Sequence, residues 1–74
     1  MNFGQALEKL KQGRSVHREG WNGRGMSLRM HIPQEGEKMT LPYLYLLTPN
    51  HESGFVHCVP WLASQTDILA EDWR

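Results

Sequence analysis

The chain has 74 residues and one cysteine, Cys58, which leaves room for a single domain, 1–74, and excludes an internal disulfide. A domain this small buries only about 60% of the surface its unfolded chain exposes, so the extra stability is expected from assembly into a homo-oligomer. Eight basic residues balance eight acidic ones, which argues against a DNA-coating role, and no apolar run approaches the roughly 20 residues that cross a bilayer.

The first element expected is a short amphipathic helix. Asn2 stands as N-cap with Gln5 in the capping-box position, and Phe3, Ala6, Leu7 and Leu10 recur at helical spacing. Gly13 is placed to end it in a left-handed C-cap. The start carries neither the basic residues nor the apolar run of a signal peptide, so the chain is expected in the cytoplasm.

From Ser15 to Trp21 the chain reads as extended, and Asn22-Gly23 signals a two-residue hairpin turn. Met26, Leu28, Met30 and Ile32 then alternate with Ser27, Arg29 and His31, the period of a strand with one buried face. A polar loop from Pro33 to Lys38 precedes a strand at Leu41 to Leu47, with Tyr43 and Tyr45 on one face and both faces expected to be partly covered. The turn-rich Thr48 to Gly54 leads to a strand at Phe55 to Val59, ended by Pro60. Ser64 with Asp67 three residues later resembles a capping box opening a helical turn through Ala70, and Trp73 is expected to return to the sheet as a short terminal strand. The fold class is therefore α+β: a small antiparallel sheet of about four to five strands, an N-terminal helix and a short C-terminal helix.

Catalytic groups are weakly represented. The four histidines, His17, His31, His51 and His57, lack metal-ligand spacing, and neither a metal nor a cofactor is expected. His57 and Cys58 are adjacent in a strand and so point to opposite faces; Cys58 reads as a small buried apolar residue. Glu71 and Asp72 read as solvated carboxylates.

Two segments carry binding chemistry. In Arg18-Glu19-Gly20-Trp21-Asn22-Gly23-Arg24-Gly25, the bland reading is a hairpin tip whose tryptophan closes the core. The functional reading is an indole that stacks on a nucleobase, glycines that let backbone amides approach phosphates, and Arg18 or Arg24 pairing with phosphate oxygens. Trp61 with Ser64, Gln65, Thr66 and Asp67 offers the same choice, between a core aromatic beside a helix cap and a stacking ring beside ribose-binding groups.

Taken together, Met1 to Leu7, Arg18 to Gly23, Leu41 to Tyr45 and the run Val59-Pro60-Trp61-Leu62-Ala63-Ser64-Gln65-Thr66-Asp67-Ile68-Leu69-Ala70-Glu71-Asp72-Trp73 resemble the DUF2829 family, over nearly the whole chain. That family includes phage proteins that counter the Thoeris defence. The resemblance implies a homotetramer that sequesters cyclic ADP-ribose isomers made by TIR-domain enzymes, with cyclic oligonucleotides of CBASS systems as further ligands of some relatives. It implies Trp21 and Trp61 as stacking groups and Ser64, Thr66 and Asp67 as hydrogen-bonding groups. Asn22 and Arg18 lie nearby, and Arg24 and Gly25 are candidates for a second ligand. The alternatives are a phage structural or protein-interaction module, in which both tryptophans serve the core and interface, and an enzyme that cleaves such signals through His17 or His57.

Overall fold

The N-terminal helix begins and ends where the sequence requires. In the computed structural model, which describes residues 1–21 and 24–74, α1 spans Phe3–Lys11. The Asn2 side chain accepts the Gln5 amide at 2.9 Å and the Gln5 side chain accepts the Asn2 amide at 2.9 Å, a reciprocal capping box. At the other end Gly13 has φ +84. The Arg14 amide reaches back to the Lys9 carbonyl at 3.1 Å and the Gly13 amide to the Leu10 carbonyl at 3.0 Å, which is the double bonding of a Schellman cap.

Three strands follow among the described residues: β1 (Ser27–His31), β2 (Tyr43–Pro49) and β3 (Val56–Pro60), and then α2 (Gln65–Leu69). They form one antiparallel sheet in the order β1-β2-β3. Register sorts the side chains onto two faces, because neighbours across a ladder share a face. Leu28 lies opposite Leu46, which lies opposite Val59, and Met30 lies opposite Leu44; this face carries the core under α1. Ala6, Leu10, Val16, Leu28 and Trp73 are the fully buried residues, with Phe3, Leu7, Met30, Leu44 and Leu46 packed against them.

The second face pairs His31 with Tyr43, Arg29 with Tyr45, and Leu47 with Cys58. It is covered less than expected: Tyr43 is exposed, and so is every residue of β3. Cys58 is therefore exposed rather than buried. Its strand is the sheet's edge, and among the described residues no helix or strand lies over that face of it.

The sheet has three strands rather than four to five. The two further strands expected, Ser15 to Trp21 and the stretch at Trp73, contract to two isolated bridges: Val16 with Leu28 and Arg18 with Trp73. The reason is that this segment serves two neighbours at once. Val16 exchanges both backbone bonds with Leu28 (2.7 and 3.1 Å), whereas His17 exchanges both with Arg74 (2.9 and 2.7 Å). The first ladder stops at one pair because His17 already bonds the C-terminal segment, and the second stops after the Glu19 amide donates to the Asp72 carbonyl at 3.2 Å, where the chain turns at Glu19 and Gly20. The Asn22-Gly23 turn lies outside the described residues.

Candidate functional site

Trp73 is the centre around which the candidate site is arranged. It is 1% exposed, and three aromatic rings surround it: Phe3 at 5.3 Å between centroids, Trp21 at 5.4 Å and Trp61 at 6.2 Å. Both flanking indoles meet it at near-perpendicular angles, 80° and 89°, the edge-to-face arrangement that aligns the positive edge of one ring with the negative face of another. Trp61 also contacts Phe3 of α1, at 5.9 Å. Trp21 and Trp61 themselves remain half-buried.

A charged network fixes the Trp21 side. Arg18 extends its guanidinium between two carboxylates, with Nη1 donating to Asp67 Oδ1 at 2.8 Å and Nε donating to Asp72 Oδ1 at 2.8 Å. Trp21 Nε1 donates to the same Asp67 Oδ1 at 3.3 Å, and the Gly20 amide donates to Asp72 Oδ2 at 2.9 Å. Trp73 Nε1 donates to the Asp67 carbonyl at 2.9 Å. Residues 18 to 21 are thus tied to α2 and to the C-terminal segment by side chains as well as by backbone.

The titration directions follow from these partners. Asp72 sits below the usual carboxylate range, chiefly because Arg18 donates to it, with the Gly20 amide adding to the effect against a desolvation cost. At Asp67 partial burial is the largest influence and pushes upward, but the bonds from Arg18, Trp21 and Ser64 and the charge of Arg18 together outweigh it, so its carboxyl also lies low. Arg18 is raised by its bonds to Asp72 and Asp67.

Ser64 performs the capping role read from the sequence, its Oγ accepting the Asp67 amide at 3.1 Å. Thr66 lies exposed on α2. Arg24 is exposed, and its carbonyl accepts a bond from His51 Nε2 at 2.9 Å. Gly25 has φ +79, a left-handed backbone angle that favours glycine. Asn22 lies outside the described residues.

Two clefts flank the tryptophan cluster. One, about 390 Å³, is lined by His17, Arg18, Glu19, Trp21, Gly25, Met26 and Ser27. The other, about 560 Å³, lies against the second face of the sheet and is lined by His31, Glu37, Met39, Tyr43, Tyr45, Cys58, Pro60 and Trp61, among others. They share no lining residue. The structure therefore brings Arg18, Trp21, Ser64 and Asp67 into one network, whereas Trp21 and Trp61 open onto different clefts, with Trp73 between them.

Sequence reasoning missed two features. Asp72, read as solvated, is half-buried and holds Arg18 and Gly20. Its signal was indirect: a glycine two residues after an arginine, since a Cβ on Gly20 would come within 3.0 Å of Asp72 Oδ2. The other is the aromatic cleft on the second sheet face, where His31 pairs with Glu37 at 2.9 Å. There the Glu37 carboxyl is held low by the Gln34 amide and by His31. The alternation of Tyr43 and Tyr45 with Leu44 and Leu46 was its visible trace.

No group of three or more His, Cys, Asp or Glu suited to a metal ion occurs among the described residues, and no helix among them is long and apolar enough to cross a membrane. His57 and Cys58 lie in adjacent, oppositely facing positions of β3.

Comparison with known proteins gives a consistent result. The model of the Thoeris anti-defense 2-like domain matches residues 1–74. The chain is also 38% identical over 86 aligned positions to Thoeris anti-defense 2 of Bacillus phage SP01, an alignment covering 99% of this chain and 91% of that relative.

Proposed function

Because the chain belongs to the Thoeris anti-defense 2-like family, we propose that it is a phage or prophage anti-defence protein that captures a cyclic-nucleotide immune signal between subunits and holds it intact. The ligand class proposed is a cyclic ADP-ribose isomer made by a TIR-domain enzyme, with CBASS cyclic oligonucleotides as the second class. The site of action is the cytoplasm of the infected host.

The observation that carries this reading is that Trp21 and Trp61 are half-buried rings at the walls of two clefts rather than rings sealed in the core. An indole held edge-on by a neighbouring ring offers a rigid platform for a base. Asp67 accepts from Arg18 and Trp21 through Oδ1, so Oδ2 is the oxygen left to accept from a ribose hydroxyl, with the Ser64 and Thr66 hydroxyls on the same short helix start. Asn22, Arg24 and Gly25 follow Trp21 in the chain and complete the proposed contacts.

The separation of the two clefts supports a site shared between protomers. A ligand stacked on Trp21 of one copy and Trp61 of another would draw on both clefts at once. Assembly is further supported by the apolar surface that it would remove from water: Leu62 is 92% exposed, Leu69 77%, Leu41 75% and Phe55 69%. The proposed assembly is a homotetramer.

The test is to mix the purified protein with a TIR-produced cyclic ADP-ribose isomer, remove free ligand by filtration, heat-denature the retained protein and analyse what it releases. Intact ligand is the expected result. Free ligand in the filtrate removes this compound from the proposal, and a cleaved product in place of the ligand replaces sequestration with catalysis.

A further inference from the structure

The network around Trp21 assigns Arg18 a role different from pairing with phosphate. We propose that Arg18 is a positioning residue: clamped by Asp72, it holds Trp21 and Asp67 in the geometry that receives the ligand, and it makes no ion pair with the ligand itself. This inference rests on the ligand-binding reading above and concerns the same site.

Three observations carry it. The guanidinium is committed on two sides, to Asp67 at 2.8 Å and to Asp72 at 2.8 Å, and its remaining Nη2 lies 3.5 Å from Asp72 Oδ2. One cation between two carboxylates has no surplus positive charge, so a phosphate brought to Arg18 meets Asp67 and Asp72 as well and is repelled by their sum. The side chain of Arg18 is only 16% exposed and that of Asp67 15%, so the pair is not free to separate into solvent without losing charge-assisted bonds.

The clamp is also anchored from behind. Asp72 accepts the Gly20 amide at 2.9 Å, and its own carbonyl accepts the Glu19 amide at 3.2 Å. Arg18 is in turn bridged through its backbone to Trp73. Trp21 is connected to Arg18 twice, through its amide to the Arg18 carbonyl at 3.2 Å and through Asp67 Oδ1, which both side chains share. A shift of the guanidinium is therefore transmitted to the indole.

The two roles predict opposite outcomes for one substitution. Asp72→Asn removes a carboxylate that is not among the proposed ligand contacts. If Arg18 positions Trp21, affinity for a TIR-produced cyclic ADP-ribose isomer, measured by calorimetry, falls about tenfold, the scale of one charge-assisted bond. If Arg18 pairs with phosphate, freeing it leaves affinity unchanged or raises it. Arg18→Lys keeps the charge but not the fork; it is expected to lose as much affinity as Asp72→Asn, and retention of wild-type affinity overturns the proposal.

A ligand-free readout separates this inference from the binding proposal. The Trp21 indole N–H resonance, identified by its loss in Trp21→Phe, is expected to move in Asp72→Asn at neutral pH while the protein keeps its wild-type circular dichroism. An unmoved resonance overturns the clamp whether or not the wild type binds ligand, and a moved resonance in a protein that binds no cyclic ADP-ribose isomer sinks the binding reading alone. Should Asp72→Asn fail to fold, Gly20→Ala replaces it: all charges remain, but a Cβ 3.0 Å from Asp72 Oδ2 requires that carboxylate, and with it the guanidinium it holds, to shift by a few tenths of an ångström. The expected result is the same shift and a smaller loss of affinity; wild-type values for both overturn the proposal.

Discussion

The two ends of this small domain are built on different terms. Around Trp73, three aromatic rings, the first turn of α1 and the Arg18 network converge, and the buried residues lie there or under α1. At the β3 edge no residue is buried, and Phe55, Val56 and Val59 are 69, 55 and 38% exposed. The difference teaches where a chain of 74 residues completes its own core and where it does not: one end closes on itself, and the other is left as an exposed apolar edge.

The strongest way to break this comparison is to remove its centre. Trp73→Ala deletes a side chain in contact with three rings and bonded through Nε1 to Asp67, a change expected to cost about 3–5 kcal/mol. A domain of this length has roughly 4–11 kcal/mol in total, so a large fraction of its stability should be lost. The check is a thermal melt by circular dichroism, in which the expected result is a midpoint far below wild type or no cooperative transition. A near-wild-type melt would mean that the core lies elsewhere.

Acid should weaken the same end next. Asp67 and Asp72 have carboxyls held low in the folded chain, so the unfolded chain binds protons first as pH falls. Their contribution is then complete above the ordinary aspartate range, about pH 4, and is lost as pH drops through and below it. The thermal midpoint is expected to fall between pH 5 and about pH 3, and the fall should be shallower in Asp72→Asn. An equal slope in that variant would assign the acid sensitivity to other carboxylates.

The comparison also explains what could be read in advance. Helix α1 was legible at both ends because a capping box and a glycine C-cap are local: Asn2, Gln5 and Gly13 state them within a few residues. The Ser64 cap of α2 and the three strands were legible for the same reason, through hydroxyl spacing, alternation and turn residues. Strand count was overestimated because extended backbone is local but pairing is not. Nothing in Ser15 to Trp21 says that Val16 bonds one neighbour and His17 another. Asp72 was misread for a related reason, since its partner Arg18 lies 54 positions away. Trp21 and Trp61 were recognised as the candidate rings, but that Trp73 stands between them is a property of the closed fold alone.

Within the Trp73 end, the α2 cap offers a finer test. Ser64→Ala removes the acceptor of the Asp67 amide, and losses at such caps are typically about 1 kcal/mol. The expected result is a modest fall in thermal midpoint with the fold retained. Because Asp67 also holds Arg18 and Trp21, the Trp21 indole resonance should move slightly in the same variant; a fall in stability with that signal fixed would show the cap and the clamp to be independent.

The smallest effect on one chain's fold is expected at the other end. Val56 is exposed on β3, the edge of the sheet, and Thr has nearly its shape and a comparable preference for strands. In a protomer standing alone, Val56→Thr should therefore change stability by no more than about 0.5 kcal/mol, as for other surface positions. In an assembly that covers this edge, the hydroxyl enters an apolar contact and costs more. Assembly stabilises by mass action, so the excess should grow with protein concentration. Chemical denaturation at low and high protein concentration, paired with light scattering, separates the two cases. A concentration-independent effect with an unchanged particle size would show that β3 stays in water, and the exposed apolar edge would then need another explanation than a second copy of this chain.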